Sequence, residues 1–322
     1  MTTAVVDALA EAARRAAHAS GPPAPSCGGC ARGPQLLAQR DDGVVVRHGR
    51  AVAKAHDART DPAAHRARLA VAADPRLDRV LLAPLPLPAD VRPLGERPVS
   101  VWPYGTPVDP EDPLAAPWEE TAALLARLHS VDPADLPGPL PVMRGPAKAA
   151  RAVARMRRTV RHPGAGAVER AWARLPAWAK DEGPAPGPGG LCHGDLHLGQ
   201  LVRHPASDGA WVLIDVDDLG IGDRAWDLAR PAAWFAAGLL APEVWQRFIG
   251  AYLAAGGPAV DAADPWAALD VPARALTVQT AALALAKTAD QRREPDDVDT
   301  AVIDACARIA TLPQELEPAG TS

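Results

Sequence analysis

The feature that most constrains the fold is a pair of short apolar runs separated by turn-forming residues. Residues 201–203 (LVR) and 211–214 (WVLI) flank the sequence HPASDG, and this pattern predicts a β-hairpin. In a hairpin, the residue before the first strand and the residue after the second lie at the same open end. We therefore expect Gln200 and Asp215 to be neighbours.

A sharp turn precedes the hairpin at residues 193–195 (HGD). Gly194 allows the backbone to turn abruptly, so that the Asp195 carboxylate points out of the loop, and we expect Asp195 at the same open end. A carboxylate and a carboxamide oxygen suit a hard cation such as Mg²⁺ better than zinc. With Asp195 as the acceptor of a proton from a substrate hydroxyl, these residues have the parts that phosphoryl transfer requires.

Several motifs in this half of the chain occur in the order found in one enzyme family. The motifs are residues 193–197 (HGDLH) with Gln200, 214–215 (ID), 222–223 (GD) and 227–229 (DLA). This order resembles the aminoglycoside phosphotransferase and choline kinase family. The resemblance implies an α+β, bilobal protein-kinase-like fold. Its small antiparallel β-sheet lobe would be residues 1–102 and its larger, mainly helical lobe residues 103–322.

The resemblance also implies an activity and its participants. The chain is expected to be an ATP-dependent kinase that transfers the γ-phosphate to a hydroxyl of a sugar, amino sugar or aminoglycoside-like substrate, with Mg²⁺ as cofactor. Asp195 would be the catalytic base and Lys54 would contact the phosphates. Gln200 and Asp215 would bind the metal. The hinge residues expected to bind adenine are Trp102, Tyr104 and Gly105. The residues expected to support the catalytic loop are His193, His197, Asp223 and Asp227.

Lys54 lies on the third of three antiparallel strands predicted between residues 36 and 55. By alternation it shares a face of the sheet with Val52. In the family such a lysine pairs with a glutamate of the next helix, but residues 63–73 contain no Glu. Either Lys54 pairs with a carboxylate from elsewhere, such as Asp215, or it is not the phosphate anchor.

The chain departs from the family at Gln200, where Asn is usual. The run HGDLHLGQ at residues 193–200 is similar to that of maltokinase-like sugar kinases, which favours a sugar or an amino sugar over an aminoglycoside. Two other functions stay open. A pseudokinase that only binds nucleotide would explain the missing glutamate and Gln200. A metal-dependent hydrolase would use Cys192, His193 and His197.

The net charge and the hydropathy of the chain limit the kinds of partner that it can have. The formal net charge of −5 indicates no basic surface for nucleic acid. No segment has the roughly 18 consecutive apolar residues of a membrane span, and Asp7 and Glu11 interrupt any signal-peptide core. We expect a cytoplasmic protein that acts on a small molecule, with neither nucleic acid nor membrane as partner. The oligomeric state is not predicted.

The cysteines raise a separate question. Cys27 and Cys30 have the spacing of a zinc knuckle, but a closed tetrahedral site requires two more ligands, and no second pair lies near them in the sequence. A zinc site, a redox pair and two reduced loop thiols stay open as interpretations.

Helical periodicity of about 3.6 residues recurs through the chain. The predicted helices are residues 4–17, 63–73, 118–130, 147–161, 243–255, 272–290 and 297–312. His129, at the end of one of them, is expected to be a bonded core histidine and not a metal ligand.

Overall fold

The structure is a computed structural model of the chain. It describes residues 2–19, 27–40, 42–88, 91–112, 115–159, 162–205 and 208–312. The chain forms two compact units. The first comprises Met1–Leu124, Pro133–Pro141 and His197–Asp217, and the second comprises Leu125–Asp132, Val142–Leu196 and Asp218–Ser322. The division into lobes at residues 102 and 103 stays a prediction.

The first unit is built on a four-stranded antiparallel sheet. Its strands are β1 (Gln35–Arg40), β2 (Gly43–His48), β3 (Ala51–Ala55) and β4 (Val99–Pro103), in that order across the sheet. A leading helix, α1 (Thr2–Ala19), packs Leu9 and Ala13 against Val46 and Ala53. Burial alternates along β3, so Ala53 faces α1 whereas Lys54 lies on the opposite face. The strands and the leading helix predicted from the sequence are confirmed.

Two further helices belong to this unit, α2 (Gly28–Arg32) and α3 (Pro62–Ala72). The Asp61 carboxylate accepts hydrogen bonds from the N–H groups of Ala63 and Ala64. It thereby satisfies donors that the first turn of a helix leaves without intrahelical partners. A side-chain cap and a proline at the first position explain why α3 begins where it does.

The predicted hairpin is present, also within the first unit. β7 (Leu201–His204) pairs antiparallel with β8 (Ala210–Leu213), and β5 (Thr106–Pro107) completes a three-stranded sheet. The Ile214 N–H donates to the Gln200 carbonyl oxygen at 2.9 Å. This bond closes the open end of the hairpin and places Gln200 beside the start of the segment that carries Asp215.

The second unit is mainly helical. A two-stranded sheet of β6 (Gly190–Cys192) and β9 (Gly220–Gly222) lies in it. Its helices are α5 (Gly145–Thr159), α6 (Ala165–Ala173), α7 (Ala225–Ala236), α8 (Pro242–Ala254), α9 (Trp266–Gln291) and α10 (Asp297–Ile309). Among the described residues, one further helix, α4, spans Trp118–Ser130, as predicted. The α+β class is therefore confirmed.

Two prolines lie inside helices of the second unit. The prediction that a helix starts at Pro272 is wrong, because α9 begins at Trp266 and continues through the proline. α7 likewise continues through Pro231. Burial of residues such as Leu269 on the N-terminal side of Pro272 stabilises the helix despite the missing N–H. Among the described residues, no helix combines the length and the apolar character that crossing a membrane would require.

Candidate active site

Lys54 pairs with two carboxylates of the first unit. Its Nζ lies 2.7 Å from Asp215 Oδ1 and 3.0 Å from Asp217 Oδ2. Burial alone would lower the pKa of Lys54, but the charges of Asp215 and Asp217 raise it above the usual value. Lys54 therefore stays charged. Of the two alternatives left open by the sequence, the structure shows the pairing of Lys54 with a carboxylate from elsewhere.

The backbone at Asp215 is unusual. Its φ of 63° lies in the left-handed region, which costs a non-glycine residue energy, although Asp tolerates it better than most. The chain turns directly after β8, and residues 216–218 form one short 3₁₀ turn. In this arrangement both Asp215 and Asp217 reach the same lysine.

A polar chain extends from Asp217 into the sheet. His56 Nδ1 lies 2.9 Å from Asp217 Oδ1, and His56 Nε2 lies 2.7 Å from Ser100 Oγ. Trp102 Nε1–H donates to Ser100 Oγ at 2.8 Å. Since a carboxylate only accepts, His56 Nδ1 carries the proton in this bond. Burial would raise the pKa of Asp217, but Lys54 and His56 hold it well below its usual range.

Sequence reasoning missed His56 and Ser100 as parts of this network. A signal was available in the strand pattern. His56 comes two residues after Lys54 and so continues the same side of that strand, while Ser100 is the direct partner of Lys54 across β3 and β4. The identity of the partner strand, however, is not a local property.

The open end of the hairpin has a donor set that fits Mg²⁺. Gln200 is buried immediately before β7, and Asp215 is the second residue after β8. The available donors are oxygens, which Mg²⁺ prefers, and two protein ligands leave positions for water and phosphate oxygens. Gln200 and Asp215 stay the predicted metal ligands.

The hinge residues are held within the first unit. The Tyr104 N–H donates to the Arg50 carbonyl oxygen at 2.7 Å, and the Arg47 guanidinium lies 3.3 Å from the centre of the Tyr104 ring. A Cβ on Gly105 would overlap the side chain of Val202. Trp102 is buried and uses its indole N–H internally. Adenine binding by these hinge residues stays a prediction.

Asp195, in the second unit, is held by two cations. Lys148 of α5 donates to Asp195 Oδ2, and Arg230 of α7 donates to Asp195 Oδ1 at 3.1 Å. Lys148 Nζ also lies 2.7 Å from Asp218 Oδ2, and Arg144 Nε lies 3.0 Å from Asp218 Oδ1. Burial would lower the pKa of Lys148, but Asp218 and Asp195 raise it. The Asp195 side chain is 17% exposed, so part of it faces solvent.

Asp227 fixes the loop that carries Asp195. The N–H groups of His193 and Gly194 donate to the two Asp227 carboxylate oxygens at 2.6 and 2.7 Å. His129 Nε2 lies 3.1 Å from the same carboxylate, and its Nδ1 lies 2.8 Å from Tyr252 Oη. His129 is thus a bonded core histidine, as the sequence predicts.

Gly194 is required by the loop geometry. Its φ is 85°, in the left-handed region, and a Cβ at this position would overlap the Asp218 carbonyl oxygen. Any other residue would therefore meet both backbone strain and a steric clash. The close approach to Asp218 explains why the turn before Asp195 contains glycine.

The other supporting residues make more local contacts. His197 Nδ1 accepts the Gly199 N–H at 3.0 Å, and Asp223 Oδ1 accepts the Ala225 N–H at 2.9 Å at the start of α7. Burial raises the pKa of Asp223 and raises that of Cys192 well above its usual value. A thiol held protonated in this way is a poor nucleophile or metal ligand, which argues against the hydrolase interpretation.

The sequence matches the model of a group described as "Phosphotransferase enzyme family" over residues 34–269. A search of curated proteins finds no match.

Three solved structures illustrate the likeness of fold. A choline/ethanolamine kinase family protein from Mesorhizobium loti has a TM-score of 0.56 and 16% identity, covering 94% of this chain and 95% of its own. The aminoglycoside phosphotransferase APH(4)-Ia has a TM-score of 0.55 and 15% identity, covering 86% and 93%. Spectinomycin phosphotransferase APH(9)-Ia, solved with ADP and spectinomycin, has a TM-score of 0.54 and 13% identity, covering 86% and 92%. At such identities the likeness shows the fold alone, and it is the protein-kinase-like fold.

Proposed function

Because the chain belongs to the phosphotransferase enzyme family, we propose that it transfers the γ-phosphate of ATP to a hydroxyl of a sugar, an amino sugar or an aminoglycoside-like molecule. The observation that carries the proposal is the pairing of Lys54 with Asp215. It joins a charged lysine on the sheet to a carboxylate at the open end of the hairpin. ADP in the structure of one fold relative supports a nucleotide as donor.

On the nucleotide side, Lys54 would contact the phosphates, and Gln200 and Asp215 would hold Mg²⁺. When bound, Mg²⁺ supplies positive charge that offsets the charge of the transferring phosphoryl group. Asp217 would keep Lys54 oriented if Asp215 bound the metal, because Asp217 also pairs with Lys54 and is itself held by His56. Lys54 therefore has a carboxylate partner with and without nucleotide.

On the acceptor side, Asp195 accepts the hydroxyl proton and orients the attacking oxygen. Phosphoryl transfer passes through a loose transition state, so positioning contributes more than deprotonation. Lys148 and Arg230 fix the two carboxylate oxygens, and Asp227 fixes the backbone of the loop. The Asp195 oxygen that meets the substrate thus keeps one orientation.

The charges around Asp195 favour an uncharged acceptor. Three cations, Lys148, Arg230 and Arg144, surround the two carboxylates Asp195 and Asp218. In this group of paired side chains the cations exceed the carboxylates by one, and charges in partly buried positions are weakly screened. A polycationic aminoglycoside is repelled by this group more than a neutral sugar is. We therefore place neutral sugars first and aminoglycosides second.

The test is Mg²⁺-dependent ADP release with a panel of neutral sugars, amino sugars, aminoglycosides and amino alcohols. We expect one class, led by neutral sugars, to stimulate release by the wild type. Asp195→Ala should lower turnover by about 10²- to 10⁴-fold while the fold is retained, since general bases contribute this much. A variant with nearly the wild-type rate would show that Asp195 is not the catalytic base. Binding of MgATP without turnover on any acceptor would instead favour the pseudokinase.

A further inference from the structure

Four side chains of the kind that bind soft metals converge in the first unit. His18 lies near the end of α1, Cys27 and Cys30 lie at the start of α2 and within it, and His48 ends β2. One ligand atom of each lies within 4.8 Å of those of the other three. None of these residues takes part in the site described above.

The separations match a tetrahedral zinc site. Cys30 Sγ lies 3.5 Å from His48 Nε2 and 3.6 Å from His18 Nε2, and Cys27 Sγ lies 3.8 Å from His48 Nε2. With Zn–S bonds of about 2.3 Å and Zn–N bonds of about 2.0–2.1 Å, tetrahedral angles require S···N separations of about 3.6 Å. Two thiolates and two imidazoles are also a donor set typical of zinc.

Backbone contacts hold the three chain segments in place. A Cβ on Gly29 would lie 2.5 Å from the Gly49 amide nitrogen, so the two-glycine turn between the cysteines packs directly on the turn after His48. Arg50 Nε donates to the Ala17 carbonyl oxygen at 3.1 Å and so ties the end of α1 to the same turn. The four ligand positions are therefore set by the packing of the chain and not by side-chain rotation alone.

We propose that one Zn²⁺ ion binds in a closed structural site formed by His18, Cys27, Cys30 and His48. Four protein ligands leave no open position, so the ion holds segments together and activates no substrate. Burial alternates along β2, which places His48 on the α1 side of the sheet with Val44, whereas Lys54 lies on the opposite face. The zinc links α1 and the cysteine turn to the sheet. It takes no part in the phosphotransferase reaction.

The test is the metal content of the full chain, purified under reducing conditions with no chelator or metal-binding tag. We expect one zinc per chain by elemental mass spectrometry. Co²⁺ in its place should show the strong visible absorption of tetrahedral, thiolate-bound cobalt. Removal of the metal by a chelator should lower Tm by about 5 °C or more, because a ligand that binds only the folded state stabilises it.

Variants separate this site from non-specific thiol binding. Cys27→Ser and His18→Asn should each weaken zinc binding at least about tenfold, whereas Cys306→Ala, at a buried cysteine of the second unit, should keep one zinc per chain. If the ligand variants do not fold, the reactivity of the exposed Cys30 thiol is measured in the wild type instead. It should react slowly with a thiol reagent when zinc is bound and rapidly after chelation. No zinc after anaerobic reconstitution, or an intact mass lower by two hydrogens from a disulfide, would overturn the proposal.

Discussion

At the scale of the residue, Asp227 and Asp195 have the same functional group and different surroundings. Asp227 is fully buried and accepts two backbone N–H groups. Such a carboxylate is expected to be structural, because hydrogen bonds to ionised groups are strong and no oxygen is left for a substrate. Asp195 is partly exposed and is hydrogen-bonded to the side chains of Lys148 and Arg230. A carboxylate that is partly exposed and held by side chains suits the proposed role of orienting a substrate hydroxyl.

Lys148 is expected to be a positioning residue, since it joins Asp195 to Asp218. Lys148→Met keeps much of the side-chain volume and removes the charge. We predict that kcat falls by about 10- to 100-fold because Asp195 loses its alignment, while KM for ATP changes by less than about twofold. Steady-state kinetics with the acceptor found in the panel measures both constants.

Arg155 provides the matched control, because it lies on the same helix and forms an exposed ion pair with Asp290. Arg155→Met should leave kcat near the wild-type value. Two results would contradict the positioning role of Lys148. One is a kcat of Lys148→Met within about twofold of the wild type, and the other is an increase in KM for ATP that accounts for the whole loss of kcat/KM.

At the scale of the element, α1 is an integral part of the sheet unit. Leu9 is fully buried against β2 and β3, whereas Leu36 on β1 is 49% exposed. We predict that Leu9→Ala lowers the free energy of unfolding by about 2–5 kcal/mol through lost burial and the cavity it leaves. Leu36→Ala, the same chemical change on the surface, should cost less than about 0.5 kcal/mol. Urea denaturation measures both, and equal effects would show that α1 does not pack on the sheet.

The contact of α3 with His56, the residue after β3, should make stability depend on pH. His65 on α3 lies with its ring centre 4.3 Å from that of His56. Burial first, and the neighbouring His56 second, lower the pKa of His65 from 6.5 to about 4. Between these values the unfolded chain binds a proton that the folded chain does not. The His65 contribution to stability is therefore complete above about pH 6.5 and is lost as the pH falls towards about 4.

His65→Leu should remove this dependence. We predict that the free energy of unfolding of the wild type, relative to that of His65→Leu, falls when the pH is lowered from about 7.5 to about 5. Denaturation of both proteins at the two pH values measures it, with the higher pH as the internal control because His65 is neutral there in both states. A difference that does not change with pH would contradict the lowered pKa.

At the scale of the whole molecule, the family match and the fold cover different parts of the chain. The match begins at residue 34, so α1 and the cysteine pair precede it, although α1 supplies much of the core of the sheet unit. The N-terminal helix α1 thus packs against the sheet that carries Lys54. We infer that this segment stabilises the sheet that carries Lys54 without contributing to the proposed chemistry.

Nucleotide binding should be visible in the stability of the whole chain. MgATP at about 100 times its Kd should raise Tm by about 5 °C, because a ligand that binds only the folded state shifts the folding equilibrium. Asp215→Asn should lose most of the shift that depends on Mg²⁺, and Asp195→Ala should keep it. Thermal melts with ATP, with and without Mg²⁺, measure this. No shift for the wild type would count against the nucleotide site itself.

The sequence by itself determined the elements and the order of the motifs. Alternation and turn residues predicted β2, β3 and the hairpin, and with the hairpin the proximity of Gln200 to the segment after β8, because strand pairing across a short turn is a local property. Helical periodicity located α4 and α10, but not the start of α9, where packing overrode the proline signal. The family resemblance rests on residues that are close together in the chain, so it can be recognised from the sequence alone.

Only the tertiary structure decided which side chains meet. Lys54 and Asp215 are 161 positions apart, Lys148 and Asp195 are 47 apart, and the two cysteines acquire His18 and His48 from separate elements. The periodicity of apolar residues along the chain does not show which residues distant in sequence come into contact. Such contacts depend on which strand or helix lies beside which, and this is set by burial of the apolar faces of the elements and not by the polar residues that the packing brings together.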